Sequence, residues 1–322
     1  MLVSVDGLRP DAISPDWAPR LWELQAAGVR AEGALNDMPS ATLPNHATML
    51  TGLVSDLHGV NLNVELPGTI EARTLFDYTA AAGLRGAFYA CKSKLRHLAR
   101  EGALETVDVG GGEAAGRVAR LLTQLTPDGP DVFFLHLNDP DSTGHRAGWM
   151  SDEYLRAVTE MDALIGQIVD AIAADGTRET YLLVTADHGG AGTNHFLNIR
   201  EDREIPWIVT GPDIPPGIVL DAVVTSADTT PTALWLLGVE APPGLSGVAR
   251  TSITDPDQLE PIVIPVAPAG LPCIFFFMPG LVAVWVAVHR TRPLDAKTYP
   301  KAANLAACGR DARTPHRFRD RF

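Results

Sequence analysis

Cysteine, basic charge and internal repetition are all scarce in this chain of 322 residues. Its three cysteines, Cys91, Cys273 and Cys308, are odd in number and widely scattered, which argues against a disulfide framework and a zinc knuckle. Lys and Arg number 26 against 39 Asp and Glu, a net charge of −13, so there is no basic footprint for a nucleic acid. A small phosphorylated molecule stays compatible with that charge, because bound metals invert the local field. No internal repeat is apparent. The first residues, Met1-Leu-Val-Ser-Val-Asp6, carry neither a basic n-region nor an apolar h-region. As written, the chain is therefore expected in the cytoplasm; with a piece missing upstream it would be exported or membrane-tethered.

With 46% hydrophobic and 20% charged residues, the chain has the make-up of a globular protein and the length for one large α/β domain. Strand and helix patterns alternate. Helices are predicted over 19–27, 74–82, 113–125, from Ser151 to about Ala174, and over 230–237; glycine or Asp-Gly closes most of them. In the longest, Leu155, Val158, Met161, Leu164, Ile165 and Ile168 recur at helical spacing. Buried-type strands are predicted at 3–5, 86–90, 132–137, 181–185 and 205–210. This rhythm predicts an α/β/α sandwich of three layers around a mainly parallel sheet.

The composition changes near Asp257. Residues 261–288 carry no charge and include five prolines, whereas 289–322 hold nine Lys/Arg against three Asp/Glu. The catalytic domain is therefore expected over 1–255, with 64–131 a short variable region and 256–322 an atypical extension. That extension reads as a membrane span near 271–288, as an apolar segment packed on the domain, or as an artefact of translation.

Three of the predicted strands end on an acid: Asp6, Asn138-Asp139-Pro140-Asp141, and Asp187-His188. In a parallel α/β sheet, ligands sit outside the carboxyl ends of the strands, so these residues are expected to meet at one edge. His145, four residues after Asp141, and His195 join them. Any one of these residues is unremarkable alone; together they supply the carboxylate oxygens and neutral imidazoles that two divalent cations require.

A second segment, Pro39-Ser-Ala-Thr42-Leu-Pro44-Asn45-His46, opens another helix. Thr42 is expected at or just before the helix N-terminus, where free N–H groups favour an alkoxide or a phosphoryl oxygen. Taken alone it reads as a helix cap. Lys92 and Lys94 read as solvated loop residues, with a reach to a substrate phosphate or carboxylate as the functional alternative. His46 reads as packed, His136 as a satisfied core histidine, Asp139 as a partner for a ligand imidazole, and Asp228 as a helix cap.

Asp6-Gly-Leu-Arg-Pro-Asp, Thr42-Leu-Pro-Asn-His, Gly59-Val-Asn-Leu-Asn63, Pro140-Asp141-Ser-Thr-Gly-His145 and Thr185-Ala-Asp187-His188-Gly resemble, in that order, the alkaline phosphatase superfamily. Within it they are most similar to the nucleotide pyrophosphatase (type I phosphodiesterase) branch, over about residues 1–250. The resemblance implies an alkaline phosphatase-like fold and two zinc ions, with manganese or iron as substitutes. Asp6, Thr42, Asp187 and His188 would surround one ion; Asp141, His145 and His195 would hold the other. Thr42 would be the nucleophile, forming a phosphothreonine, and Asn63 would hold a phosphoryl oxygen. The larger members place the last histidine far downstream, and His195 is preferred here to His289. A large substrate-recognising insertion between Asn63 and Val132 is missing.

The expected activity is a metal-dependent phosphodiesterase acting on a small phosphate ester. Phosphomonoesterase, phosphonate hydrolase and phosphomutase of the same superfamily are its alternatives. A sulfatase would need a Cys/Ser-x-Pro-x-Arg element, which Thr42-Leu-Pro-Asn-His lacks. The non-enzyme alternatives are a metal-binding relic and a membrane-tethered interaction domain.

Overall fold

The computed structural model describes residues 1–254 apart from position 221. The apolar and basic segments of the expected extension, with Cys273, Cys308, His289 and the span at 271–288, lie outside the described residues. Among the described residues no helix is long and apolar enough to cross a membrane.

The strands are β1 (Leu2–Val5), β2 (Val29–Ala31), β3 (Ala34–Leu35), β4 (Gly86–Ala90), β5 (Thr106–Val109), β6 (Val132–Leu137), β7 (Leu182–Thr185), β8 (Glu204–Ile205), β9 (Trp207–Thr210) and β10 (Ile218–Leu220). Eight of them form one sheet in the order β10-β2-β9-β7-β1-β6-β4-β5. The run β7-β1-β6-β4-β5 is parallel throughout, and β9 enters antiparallel to both neighbours. Both faces of these strands are covered, so β1, β4, β6 and β7 are buried along their whole length.

The helices are α1 (Pro19–Ala27), α2 (Thr42–Thr51), α3 (Ser55–His58), α4 (Leu75–Ala81), α5 (Ala114–Leu122), α6 (Asp139–Ala147), α7 (Asp152–Asp175), α8 (Arg200–Arg203) and α9 (Thr229–Leu236). Helices α1, α5 and α6 pack on α7, whereas α3 and α9 pack on α2, and α4 on α9. These are the two helical layers of the sandwich. Helix α7 starts where Ser151 accepts a bond from the Tyr154 N–H and stops at the left-handed Gly176. Its buried stripe holds Val158, Met161, Leu164, Ile165 and Ile168 as the periodicity predicts; Tyr154 is fully buried, and Leu155 only partly.

Two expectations are revised. The strand predicted over 205–210 is broken at Pro206, which has no N–H for a ladder; β8 pairs with β3 outside the main sheet, and only β9 joins it. Periodicity predicts no helix at 139–147, yet α6 forms there, with Pro140 in its first turn. Asp141 and His145 then share one helical face at i and i+4.

Candidate active site

The carboxyl ends of β7, β1, β6 and β4 lie side by side, and each delivers site residues. Asp6 follows β1, Asp187 and His188 follow β7, Asp141 sits in the first turn of α6 just beyond β6, and Lys92 follows β4. The turn after β1 depends on Gly7, whose φ of +72° is in the region glycine tolerates. A Cβ there would come within 2.9 Å of the Asp141 backbone. The Gly7 N–H donates to Asp187 Oδ1, and its carbonyl accepts from Trp149 Nε1 and the Tyr154 hydroxyl. One residue thus ties three of the converging segments together.

Helix α2 enters from the opposite layer. Its N-cap is Ala41, in extended conformation and with no side-chain cap bond, so Thr42 is the first helical residue rather than the cap. The Thr42 side chain is buried, and its oxygen accepts a long bond from Lys92 Nζ at 3.4 Å. Beside it, the Leu43 N–H donates to Asn63 Oδ1 at 3.0 Å, and Lys94 Nζ donates to the same atom at 3.1 Å. That leaves the Asn63 amide NH2 as its free donor.

The acids and imidazoles converge. His188 Nε2 lies 3.5 Å from Asp6 Oδ1, 3.4 Å from Asp187 Oδ2 and 3.9 Å from Asp141 Oδ1. Among the described residues two groups could hold a metal, Asp6–Asp187–His188 and Asp141–His188–His195. His195 Nε2 is 3.8 Å from Asp141 Oδ1, and its ring stacks on His188 at 3.7 Å between centroids. His145 Nε2 is 3.4 Å from Asp141 Oδ1 but its side chain is 39% exposed, at the outer side of the cluster.

Four buried atoms, Asp6 Oδ1, Asp141 Oδ1, Asp187 Oδ2 and His188 Nε2, have no hydrogen-bond partner. Buried polar atoms are rarely left so, and four facing one another fit a cation. The mixture of carboxylate and imidazole suits zinc. Backbone carbonyls of Gly189, Ser40 and Thr193 lie at 2.8–2.9 Å from the Nδ1 atoms of His188, His195 and His145. Each ring therefore offers Nε2 to the site. Burial, together with neighbouring His188, pushes His195 down to about 3, which keeps it neutral and able to ligate.

The charges in the cluster oppose one another. Burial, reinforced by the charge of Asp6, pushes the Asp187 carboxyl up. Burial would also raise Asp6, but Lys92 and His136 outweigh it and hold Asp6 well below the usual carboxylate range. Burial alone would lower Lys92; Asp6, Asp141 and Asp187 overcome it and raise the ammonium above its usual range.

Several sequence expectations change here. Lys92 is not a solvated loop residue: its Nζ sits 2.6 Å from Asp141 Oδ2 and 2.7 Å from Asp6 Oδ2. Its place two residues past the end of a parallel strand was the available signal. Lys94 is likewise drawn in, to Asn63. His136 is buried as expected, but it also holds Asp6, with Nε2 2.8 Å from Oδ2. His46 is packed as expected, between Ser4 Oγ and the Thr42 carbonyl. Asp139 is not the partner of a ligand imidazole, since backbone carbonyls take that place. Asp228 caps the turn before α9 through the Thr225 N–H and pairs with Arg250 at 2.6 Å.

The type I phosphodiesterase / nucleotide pyrophosphatase family matches residues 1–77 and 73–207. A venom phosphodiesterase of Crotalus durissus collilineatus is 26% identical over 216 residues, covering 59% of this chain and 26% of its own. Ectonucleotide pyrophosphatase/phosphodiesterase family member 3 of Mus musculus is 24% identical over the same share of this chain and 24% of its own. The chain thus spans about a quarter of the length of these relatives. Among solved structures, murine ectonucleotide pyrophosphatase/phosphodiesterase 5 in complex with AMP aligns with a TM-score of 0.65 at 16% identity, covering 75% of this chain and 95% of that one. A phosphonate monoester hydrolase from Silicibacter pomeroyi aligns at 0.61 and 18%, covering 79% and 76%. The fold is that of the alkaline phosphatase superfamily, and on the family match over more than half its length the chain belongs to the type I phosphodiesterase/nucleotide pyrophosphatase family.

Proposed function

We propose that this chain is a metal-dependent phosphoric-ester hydrolase, a phosphodiesterase in preference to a monoesterase, with Thr42 as nucleophile. The observation that carries the reading is the buried Thr42 hydroxyl, free of any capping role, beside orphaned carboxylate and imidazole atoms at three adjacent strand ends. Asp6, Asp187 and His188 would hold zinc next to Thr42, with manganese or iron as substitutes. A bound divalent cation makes a hydroxyl nucleophilic at neutral pH and draws charge from phosphoryl oxygens.

The Thr42 oxygen forms a bond to phosphorus as the bond to the leaving alcohol breaks. The hydroxyl proton passes to solvent and the departing oxygen takes one up. Water then attacks the phosphothreonine, restoring the threonine and releasing the phosphorylated product. The Asn63 amide NH2 and the N–H groups opening α2 are the donors for a non-bridging oxygen, where negative charge builds. On the Asp141 side the leaving oxygen needs a further positive charge. Either a second zinc on Asp141, His145 and His195 or the Lys92 ammonium can supply it.

The test uses bis-p-nitrophenyl phosphate, p-nitrophenyl phosphate, thymidine monophosphate p-nitrophenyl ester and phosphonoacetate, each with added zinc. Hydrolysis of the diesters should exceed that of the others. Thr42→Ala should lose turnover by about 10³-fold or more, and the phosphothreonine detected by mass spectrometry after acid quench should vanish. An alanine variant with near wild-type turnover would make Thr42 a structural residue and end the mechanism.

A further inference from the structure

Trp149 lies just beyond the end of α6 and is buried. It touches each segment that reaches the Asp141 side of the cleft. Its Nε1–H donates to the Gly7 carbonyl at 2.9 Å, in the turn that follows Asp6. Its backbone N–H donates to the Gly192 carbonyl at 2.7 Å, three residues before His195.

The indole also accounts for two glycines. A Cβ on Gly144 would meet Trp149 Cδ2 at 2.6 Å, and one on Gly190 would meet Cε2 at 2.2 Å. Gly144 lies inside α6, directly before His145, where alanine would serve the helix better. Gly190 lies two residues after His188. Neither has the positive φ that would otherwise call for glycine. Their bare Cα atoms let the ring lie against both backbones.

Two site imidazoles meet this ring. Its centroid is 5.1 Å from that of His145, at 83°, and 5.8 Å from that of His195, at 64°. The same imidazoles place Nε2 at 3.4 and 3.8 Å from Asp141 Oδ1. Their Nδ1 bonds to the Thr193 and Ser40 carbonyls choose which nitrogen each ring offers. A single bond leaves a ring free to tilt about it, and the indole opposes that tilt. His145 depends on it most, because its side chain is 39% open to solvent.

We infer that Trp149 is a positioning residue for a cation on Asp141, His145 and His195. The inference rests on the reading of those three residues as a cation set. Trp149 touches no substrate; it aims two ligands at Asp141 before the cation arrives, so that binding does not have to order them. The Asp6–Asp187–His188 set is insulated from its loss. Gly7, whose N–H holds Asp187, keeps the Tyr154 hydroxyl as a donor to its carbonyl.

The experiment titrates zinc by calorimetry into the chelator-treated full chain and its variants. Wild type should show two binding steps, and His145→Ala should lose one of them, which identifies the step of this set. That step should weaken about 10-fold in Trp149→Phe and about 100-fold in Trp149→Leu, with the other step unchanged. If Trp149→Leu does not fold, Trp149→Phe decides. Two steps unaltered in Trp149→Phe would overturn the inference alone, and two steps weakened together would reduce Trp149 to a structural residue and overturn it equally. A wild type that takes one zinc, or a His145→Ala chain that keeps both steps, would remove the cation set and the inference with it. The expected binding steps in a chain without hydrolytic activity would sink the hydrolase reading and leave the role of Trp149 standing.

Discussion

Asp6, Asp187 and His188 on the floor of the cleft are 0% exposed and Asp141 4%, whereas Leu62, Val64 and Phe196 at its rim are 61%, 52% and 55% exposed. Leu62 and Val64 flank Asn63, and Phe196 follows His195, its ring 4.3 Å from that imidazole. Every floor residue hangs from the end of a strand or the first turn of a helix, and its geometry is fixed by the sheet. The rim sits on irregular segments, 59–74 and 189–199, and presents apolar area to solvent. In the proposed mechanism the reacting groups are thus held by rigid elements, and the exposed loops, which tolerate change, would select the leaving group.

The comparison breaks first at the floor. His136 makes no contact with substrate in the proposed mechanism, yet it fixes Asp6. His136→Ala should weaken zinc binding by about 10–100-fold, read as the chelator concentration that strips the metal. Unchanged affinity would mean that the Asp6 carboxylate is positioned by Lys92 alone.

A smaller effect is expected at the rim. Phe196→Ala should raise KM for an aryl or nucleoside diester by about 3–10-fold while kcat changes little, because it removes binding shared by ground and transition states. A drop in kcat as large as that in kcat/KM would move Phe196 from the rim to the chemistry, through the ring of His195.

The smallest effect sharpens the comparison by leaving both regions alone. His58, behind α2, bonds Thr48 Oγ1 and accepts from the Val60 N–H. Burial pushes it down to about 4, against the opposing charge of Asp37. A histidine whose folded pKa is depressed binds fewer protons folded than unfolded. Its neutral form therefore stabilises the fold fully above about pH 6.5, and that contribution is lost as pH falls from there towards 4. In His58→Gln the fall of Tm across that window should be shallower than in wild type. Parallel curves would assign the acid sensitivity elsewhere.

Much was legible without coordinates. The strand ends at Asp6, Asp141 and Asp187 announce themselves because apolar runs stop abruptly on acids. Pro19–Ala27 opens on a proline and closes at Gly28, residues whose backbone preferences bound a helix. Helix α6 was not legible, since Asp139-Pro-Asp-Ser-Thr-Gly-His has no apolar stripe and owes its helix to its position after β6. The break at Pro206 was legible in principle, because a residue without an N–H cannot continue a ladder.

The sequence by itself determined the inventory: which acids and imidazoles the chain owns, the strands that precede them, and a threonine opening a helix. Those are local facts, governed by periodicity and by the conformational limits of glycine and proline. Only the tertiary structure decided who meets whom. Sheet order places β4 next to β6, and so brings Lys92 from a segment that reads as solvated loop into contact with Asp6, Asp141 and Thr42. An exposed lysine and a buried counter-ion have the same local sequence; the contact of Lys92 with Asp6 and Asp141 is a property of the assembled strand ends.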